Sequence, residues 1–225
     1  MCSSDLDTET TGLHPEEGHR VIEFAGVEFK LNPDGSVRQV IPHHHLFNPE
    51  MPIPKESTDV SGIRDEDVAK APVFAQHAQS IHRLLANAIT IAHNYPFDQR
   101  FLSYEFARVN LKWPYPVAEV DTVDLSRQFF PDAKSHKLGE LAARLEIPLV
   151  GAHRATNDAE ACGRCFLELA RRQNAPSELA EMLDWGGAVG LPPETGHLSR
   201  TSEGIQFVEG EHKGDALEDH PDTLM

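Results

Sequence analysis

The sequence lacks the features that mark secreted and membrane proteins. Its 225 residues contain only three cysteines, too few for the disulfide framework of a small secreted domain. No segment approaches the roughly 18 apolar residues of a membrane-spanning helix, and the N-terminus carries no apolar signal-peptide core. These absences predict a cytoplasmic protein without a membrane partner.

Positive charge is also scarce. The formal net charge is −16, and residues 176–225 hold 11 acidic residues against only two basic ones. The rest of the chain holds 25 acidic and 18 basic residues. Such a composition argues against broad electrostatic capture of nucleic acid. Bound divalent ions can still attract phosphate locally, so a metal-centred site remains compatible with a nucleic-acid partner.

The pattern of apolar residues predicts an α/β protein. Strand patterns at 21–29 and 37–47 flank a turn at Asn32-Pro33-Asp34-Gly35. A further strand is predicted at 88–92, and another that continues into a helix at 119–125. Helices are predicted at 63–68, 74–88, 97–109, 136–145 and 158–172. Consecutive strands followed by alternating helices and strands indicate one mixed sheet covered by helices.

An acidic pair near the N-terminus is the first candidate site. Asp7 and Glu9 stand two residues apart in DLDTETTGL, so in a strand both side chains point to one face. Neighbouring carboxylates repel each other unless a cation neutralises them, and Mg²⁺ or Mn²⁺ suits such oxygen ligands. The strand has almost no apolar residues before Asp7, so we expect it to be short or weakly anchored.

Three segments resemble the motifs of one enzyme family. Residues 5–13 read DLDTETTGL, residues 93–102 read HNYPFDQRFL and residues 153–161 read HRATNDAEA. In this order they resemble the three motifs of the DEDDh, or DnaQ-like, 3′–5′ exonucleases, which include the proofreading epsilon subunit of bacterial DNA polymerase III. The resemblance covers roughly residues 5–172. It implies a ribonuclease-H-like fold, with a mixed five-stranded sheet flanked by helices.

The resemblance also implies a function and a catalytic set. The expected enzyme removes nucleoside 5′-monophosphates from 3′ ends of DNA, in proofreading or repair, with two Mg²⁺ or Mn²⁺ ions. Asp7, Glu9 and Asp158 would be metal ligands, with Asp98 acting directly or through a bound water. His153 would be the general base, because the ordinary pKa of a histidine side chain lies near neutrality. A DNA polymerase or another repair protein is a candidate partner.

Substrate contacts follow from the same resemblance. Residues near the acidic pair and the second motif would line the cleft for the last nucleotide: Thr10, Thr11, Gly12, Leu13, Asn94 and Phe97. Family members place a Glu and a His before Gly-Ile, and the matching positions here are Glu56 and Ser61. Because Ser61 replaces the usual His, we expect a weaker contact to the terminal nucleotide.

Two other patterns could hold a metal, but we favour structural roles for both. In His43-His44-His45, alternate strand residues point to opposite faces, so at most two can converge. The CGRC segment at Cys162–Cys165 lies inside a predicted helix, and Cys2 is the only other cysteine, which argues against a zinc or redox site.

The sequence divides into three segments, and two interpretations stay open for the last one. We assign residues 1–175 to the exonuclease domain, 176–202 to a helix and a linker rich in Gly and Pro, and 203–225 to an acidic tail. For the tail, a truncated small module and a disordered segment both stay open. For the function, two alternatives also stay open: an exoribonuclease acting on RNA 3′ ends, and a catalytically silent binding or scaffold subunit.

Overall fold

A mixed five-stranded sheet forms the centre of the fold. The computed structural model describes residues 2–32, 36–86, 88–114, 116, 118–149, 155–175, 198–201 and 204–207. The sheet strands are β1 (Cys2–Thr10), β2 (Val21–Leu31), β3 (Val37–Leu46), β4 (Ile89–Ala92) and β5 (Ala118–Asp121). Their spatial order is β3-β2-β1-β4-β5. The first three strands are antiparallel, whereas β1, β4 and β5 run parallel. The expected mixed five-stranded sheet is confirmed.

Helices cover both faces of this sheet. They are α1 (Lys55–Ser61), α2 (Asp65–Val68), α3 (Ala78–Leu85), α4 (Tyr95–Arg108), α5 (Thr122–Phe129), α6 (Leu138–Leu145) and α7 (Ala155–Arg172). Short 3₁₀ helices occur at Pro15–Glu17 and Phe74–Gln76. On one face α7 packs on β1 and β2, and its Ala155 and Ala159 contact Val27 and Phe29. No helix among the described residues is long and apolar enough to cross a membrane.

The other face of β1 and β2 carries a cluster of large apolar side chains. Leu6 and Phe24 pack there with Phe74, Phe101 and Phe106, all of which are almost completely buried. Because successive strand residues point to opposite faces, Leu6, Thr8 and Phe24 lie on this face, whereas Asp7, Ala25 and Val27 face α7. A register shift after Glu9 changes this alternation, and Val21 also packs into the cluster.

Strand β1 is longer than the sequence suggested. It runs from Cys2 and pairs with β2 from Cys2 to Thr10, and with β4 from Ser3 to Asp5. A central strand is held by backbone hydrogen bonds on both sides, which do not depend on apolar side chains. The expectation of a short strand is therefore wrong, whereas its relative stability remains a prediction.

Three element boundaries also differ for identifiable reasons. The helix predicted at 63–68 begins only at Asp65, and a separate helix that was not predicted, α1, ends at Ser61 because Gly62 adopts a left-handed φ of 74°. The helix predicted at 74–88 begins with the 3₁₀ helix, and α3 starts only at Ala78. The strand predicted to continue into a helix within 119–125 ends at Asp121, whose side chain accepts a hydrogen bond from Val123 N and caps α5.

The chain divides into two compact units, residues 1–188 and 189–225. In the second unit, β6 (Leu198–Thr201) and β7 (Gly204–Phe207) form an antiparallel pair. Strand β6 begins inside the stretch assigned to the linker, so the pair crosses the boundary predicted between residues 202 and 203. The helix predicted at 177–185 lies outside the described residues, and the assignment of domains stays a prediction.

Candidate active site

The acidic pair lies on the face of β1 that α7 covers. Asp7 is opposite Ala25 of β2, and Glu9 is opposite Glu23. Burial raises the pKa of Asp7 well above its ordinary value, and the charges of Asp98, Glu9 and Asp158 raise it further. Burial, followed by the charges of Glu23, Asp158 and Asp98, raises the pKa of Glu9 to about 7. These mutual shifts show that carboxylates from separate elements lie close together.

Asp98 reaches this cluster from the first turn of α4. It is 3% exposed, and Thr8 Oγ1 donates a 2.7 Å hydrogen bond to its Oδ1. Hydrogen bonds from Thr8 lower the pKa of Asp98, but desolvation is the larger effect and raises it to about 7. Asn94, with a left-handed φ of 74°, precedes α4 and turns the chain from β4 into this helix.

Asp158 joins the cluster from the first turn of α7. Helix α7 lies very close to the sheet at Gly163, where an added Cβ would overlap the carboxylate of Asp5 and the ring of Phe29. Glycine at this position therefore allows the helix to approach β1 and β2. His153, the predicted general base, lies outside the described residues, and its role stays a prediction.

Two further carboxylates lie on the same face and were missed by the sequence analysis. Asp5 is fully buried and lies two residues before Asp7, on the same face of β1. Glu23 is 2% exposed and lies opposite Glu9. The sequence contained a signal for each of them. Asp5 continues the alternating acids of β1, and Glu23 interrupts an otherwise apolar buried strand.

The loop after β1 holds four of the predicted substrate contacts. Thr10 Oγ1 donates to the carbonyl of Gly12 (2.6 Å), and Thr11 Oγ1 accepts from Arg20 N (2.9 Å). The ring of His19 covers Gly12, where a Cβ would overlap it. Leu13 is 66% exposed. The loop is thus fixed internally and presents one apolar side chain to solvent.

Arg100 ties this loop to α4, because its Nη2 donates a 2.6 Å hydrogen bond to the carbonyl of Leu13. Phe97 is half-buried and packs against Phe101 at 5.0 Å between ring centroids. Asn94 is exposed, and its backbone N–H donates to Asp121 Oδ1. The substrate roles of Phe97 and Asn94 stay predictions.

The other two predicted substrate contacts lie on α1. Glu56 is exposed in its first turn. Ser61 is 5% exposed, and its hydroxyl donates to Ser57 O (2.9 Å) and accepts from Ile63 N (3.1 Å). The Ser61 hydroxyl therefore stabilises the end of α1, and its contact with a nucleotide stays a prediction.

The two alternative metal patterns are explained by other contacts. His44 pairs with Glu23, His43 lies 3.6 Å from a Glu28 oxygen, and the ring of His45 lies 4.4 Å from that of His77. Cys162 and Cys165 are free and buried in α7. Burial raises the pKa of both thiols, that of Cys165 to about 12, so both thiols are inert near neutral pH.

The donor set fits divalent metal ions by its chemistry. Asp7, Glu9, Asp98 and Asp158 supply only carboxylate oxygens, the ligands that Mg²⁺ prefers in proteins, and burial raises the pKa values of Asp7, Glu9 and Asp98. Among the described residues, no three His, Cys, Asp or Glu side chains are already arranged around one point. The fit is therefore one of donor type and proximity.

Comparison with known proteins gives the family. The model of the exonuclease family RNase_T matches residues 6–166. The DNA polymerase III subunit epsilon of Rickettsia prowazekii is 33% identical over 172 residues, which are 73% of this chain and 72% of that protein. This chain therefore belongs to the exonuclease family, and the resemblance to DnaQ-like 3′–5′ exonucleases is confirmed.

Two other relatives are much longer than the matching region. A DNA polymerase III subunit epsilon-like protein of Rhodobacter capsulatus is 38% identical over 166 residues, 73% of this chain but 23% of its own length. The 3′–5′ exonuclease DinG of Bacillus subtilis is 33% identical over 167 residues, 74% of this chain and 17% of its own length. The shared region is thus a minor part of both of these relatives.

Solved structures confirm the ribonuclease-H-like fold. E. coli exonuclease I in complex with a dT13 oligonucleotide matches with a TM-score of 0.66 and 21% identity, over 77% of this chain and 42% of that one. Exonuclease X in complex with 5′-overhanging duplex DNA matches with a TM-score of 0.59 and 22% identity, over 80% and 97% of the two chains. At these identities, the likeness establishes the fold.

Proposed function

We propose that this chain is a metal-dependent 3′–5′ exonuclease that acts on DNA. It hydrolyses the phosphodiester bond of the last nucleotide and releases nucleoside 5′-monophosphates, in proofreading or repair. The observation that carries this proposal is the cluster of four carboxylates that β1, α4 and α7 bring together, with the pKa of Glu9 and of Asp98 raised to about 7. We expect the protein to act in the cytoplasm.

The cluster suits two Mg²⁺ or Mn²⁺ ions. When bound, the two ions would neutralise charge on the attacking and leaving oxygens of the phosphodiester. Asp7, Glu9 and Asp158 would supply carboxylate ligands to these ions. Asp98 would bind directly or through a water, held in place by Thr8.

His153 would act as the general base of the reaction. It would take a proton from the attacking water while the water oxygen bonds to phosphorus and the bond from phosphorus to the 3′ oxygen breaks. The departing 3′ oxygen takes a proton from solvent, so the products are a nucleoside 5′-monophosphate and a strand with a new 3′ hydroxyl. The exposed Leu13 and the fixed loop of Thr10, Thr11 and Gly12 would receive the last base.

The first experiment measures hydrolysis of 5′-labelled single-stranded and 3′-recessed DNA in the presence of Mg²⁺ or Mn²⁺. We expect stepwise shortening from the 3′ end, abolished by excess chelator and reduced about 10³-fold in Asp7→Ala, because several kcal/mol of charge stabilisation is lost. Asp132→Ala, at an exposed loop position, is the control and should retain full activity. Full activity of Asp7→Ala would contradict the proposal.

Matched RNA oligomers and mismatched primer ends complete this assay. Faster turnover of RNA would support the exoribonuclease alternative, and preferential removal of mismatched ends would favour proofreading. Binding of metal and DNA without any turnover would favour the silent scaffold. A physical complex with a DNA polymerase is a separate proposal, which co-purification of the full-length protein would test.

The role of His153 is tested by His153→Ala. A general base contributes to the rate, typically about 10²–10⁴-fold, and not to metal binding. We therefore expect a large loss of kcat with unchanged Mn²⁺ affinity measured by calorimetry. Equal losses of rate and affinity would assign His153 to the structure of the site instead.

A further inference from the structure

Glu23 is a buried carboxylate directly beside the acidic pair. It is opposite Glu9 in the antiparallel ladder between β1 and β2, and opposed residues in such a ladder present their side chains on the same face. The charge of Glu23 is also among the causes that raise the pKa of Glu9 and of Asp7. Glu23 therefore adds negative charge to a site that already holds an excess of it.

The two oxygens of Glu23 have different surroundings. Oε1 lies 2.6 Å from Nε2 of His44, which is diagonally placed on β3 and 45% exposed in its side chain. Oε2 is buried and has no hydrogen-bond partner among the described residues. Because an unpaired buried carboxylate oxygen is costly, it calls for a water molecule or an ion as its partner.

We propose that Glu23 is a positioning residue of the metal site, held by His44 through one oxygen and stabilising the bound divalent ions through the other. This inference rests on the proposed metal-dependent function. Residues that support the direct ligands of a metal typically change its affinity by about 10–100-fold when mutated. The half-exposed His44 fixes the carboxylate from the solvent side without occupying its inner oxygen.

The same two strands contain a matched control on their opposite face. Glu28 and His43 form a second diagonal Glu–His pair between β2 and β3, with 3.6 Å between Oε2 and Nε2. Side chains of successive strand residues point to opposite faces of the sheet. Glu28 is an odd number of residues from Glu23, and His43 is next to His44, so this pair points away from α7 and the carboxylates. Residue types and strands are the same, whereas Glu28 lies on the other face and is less buried than Glu23, with 19% against 3% of its side chain exposed.

The experiment titrates Mn²⁺ into the metal-free full-length protein by calorimetry. We expect Glu23→Gln to weaken Mn²⁺ binding by about tenfold and Glu28→Gln to leave it unchanged. His44→Ala, at a half-exposed position, should weaken binding in the same direction but by less. Wild-type affinity in Glu23→Gln, or an equal loss in Glu28→Gln, would overturn the inference.

Thermal unfolding in excess chelator separates positioning from a purely structural role. Glu23→Gln removes one of several buried like charges, so its unfolding midpoint should not fall below that of the wild type. A lower midpoint with unchanged Mn²⁺ affinity would show that Glu23 serves only the fold. If both the unfolding midpoint and the Mn²⁺ affinity of Glu23→Gln fall, the Mn²⁺ affinity of His44→Ala separates the two roles. Wild-type affinity in His44→Ala would then overturn the inference.

Asp7→Asn distinguishes failure of this inference from failure of the proposed function. If Asp7→Asn loses Mn²⁺ binding while Glu23→Gln keeps it, the metal site stands and the role of Glu23 is wrong. If both variants bind Mn²⁺ as the wild type does, the metal site itself is wrong.

Discussion

The two faces of β1 and β2 are built on opposite principles. The even-numbered side chains, such as Leu6 and Phe24, pack into an apolar cluster in which Phe74 contacts Phe106 at 5.6 Å between centroids. The face under α7 packs Ala25, Val27 and Phe29 against the helix, but it also collects the buried carboxylates beside Asp7 and Glu9. The same two strands thus pack apolar side chains on one face and bring like charges together on the other.

The difference shows how the repulsive site can exist. Burying like charges disfavours the folded state unless a cation joins them, and burying large apolar side chains favours it. Thr8 connects the two faces, since it belongs to the even-numbered row but donates to Asp98. We infer that burial of the apolar side chains offsets the free energy that repulsion between the buried carboxylates costs.

The largest expected effect on the free energy of unfolding comes from removing a buried side chain of the apolar cluster. Phe24→Ala should lower the free energy of unfolding by about 3–5 kcal/mol, because Phe24 is fully buried and a cavity would remain. Denaturant titration of the metal-free protein measures this change. Val37→Ala, at a position that is 40% exposed, should change stability by less than about 1 kcal/mol. Similar losses in both variants would show that the cluster does not supply most of the stability.

The next effect comes from neutralising the repulsion. Mn²⁺ at about 100 times its Kd should raise the free energy of unfolding by about 2.7 kcal/mol, because the ion binds only the folded state. Asp7→Asn should lose this gain and should be no less stable than the wild type when metal is absent. Thermal unfolding with and without chelator measures both quantities. A large loss of metal-free stability in Asp7→Asn would contradict the repulsive character of this face.

A smaller effect is expected from changing the distance between α7 and the sheet. Gly163→Ala introduces overlap with Asp5 and Phe29, and overpacking of this kind costs about 1–3 kcal/mol. The displaced helix carries Asp158, so nuclease activity should fall as well. Gly139→Ala in α6 is the matched control, because its Cβ would meet only Leu149 at 3.9 Å. Equal effects in both variants would mean that close approach at Gly163 is unimportant.

Much of the fold could be predicted because it depends on local patterns. The hairpin of β2 and β3 and the helices α4, α6 and α7 follow from turn residues and apolar spacing. The length of β1 could not be predicted, because backbone pairing with β2 and β4 holds residues that have no apolar preference. The end of β5 depended on a single side-chain cap, that of Asp121.

The candidate site was predictable where motifs repeat a family pattern, as for Asp7, Glu9, Asp98 and Asp158. Glu23 and Asp5 were missed because their importance depends on strand register. Only the pairing of Glu9 with Glu23 brings the latter carboxylate to the site. Gly163 was missed as well, because the CGRC segment was interpreted through its cysteines. The structural requirement is the missing side chain of Gly163, which lets α7 lie close to the sheet.

A pH dependence separates the faces without deleting a contact. The folded-state pKa values of Glu9 and Asp98 are about 7, above their ordinary values of 4.5 and 3.8. Protonation of these groups therefore favours the folded state, fully below about pH 4, and this contribution is lost as pH rises through 7. Metal-free stability should fall over that interval, and bound Mn²⁺ should abolish the fall because it stabilises the ionised carboxylates.

Groups with a lowered pKa act in the opposite direction and have to be separated, and His93 is the example that lies near the site. Burial lowers the pKa of His93 from 6.5 to about 4, so its contribution to stability is present above pH 6.5 and is lost as pH falls toward 4. The comparison of wild type with Glu9→Gln/Asp98→Asn isolates the carboxylates, because His93 is the same in both proteins. The difference in unfolding free energy should grow in favour of the variant from pH 4 to 8. A constant difference would show that the acidic face is not under electrostatic repulsion.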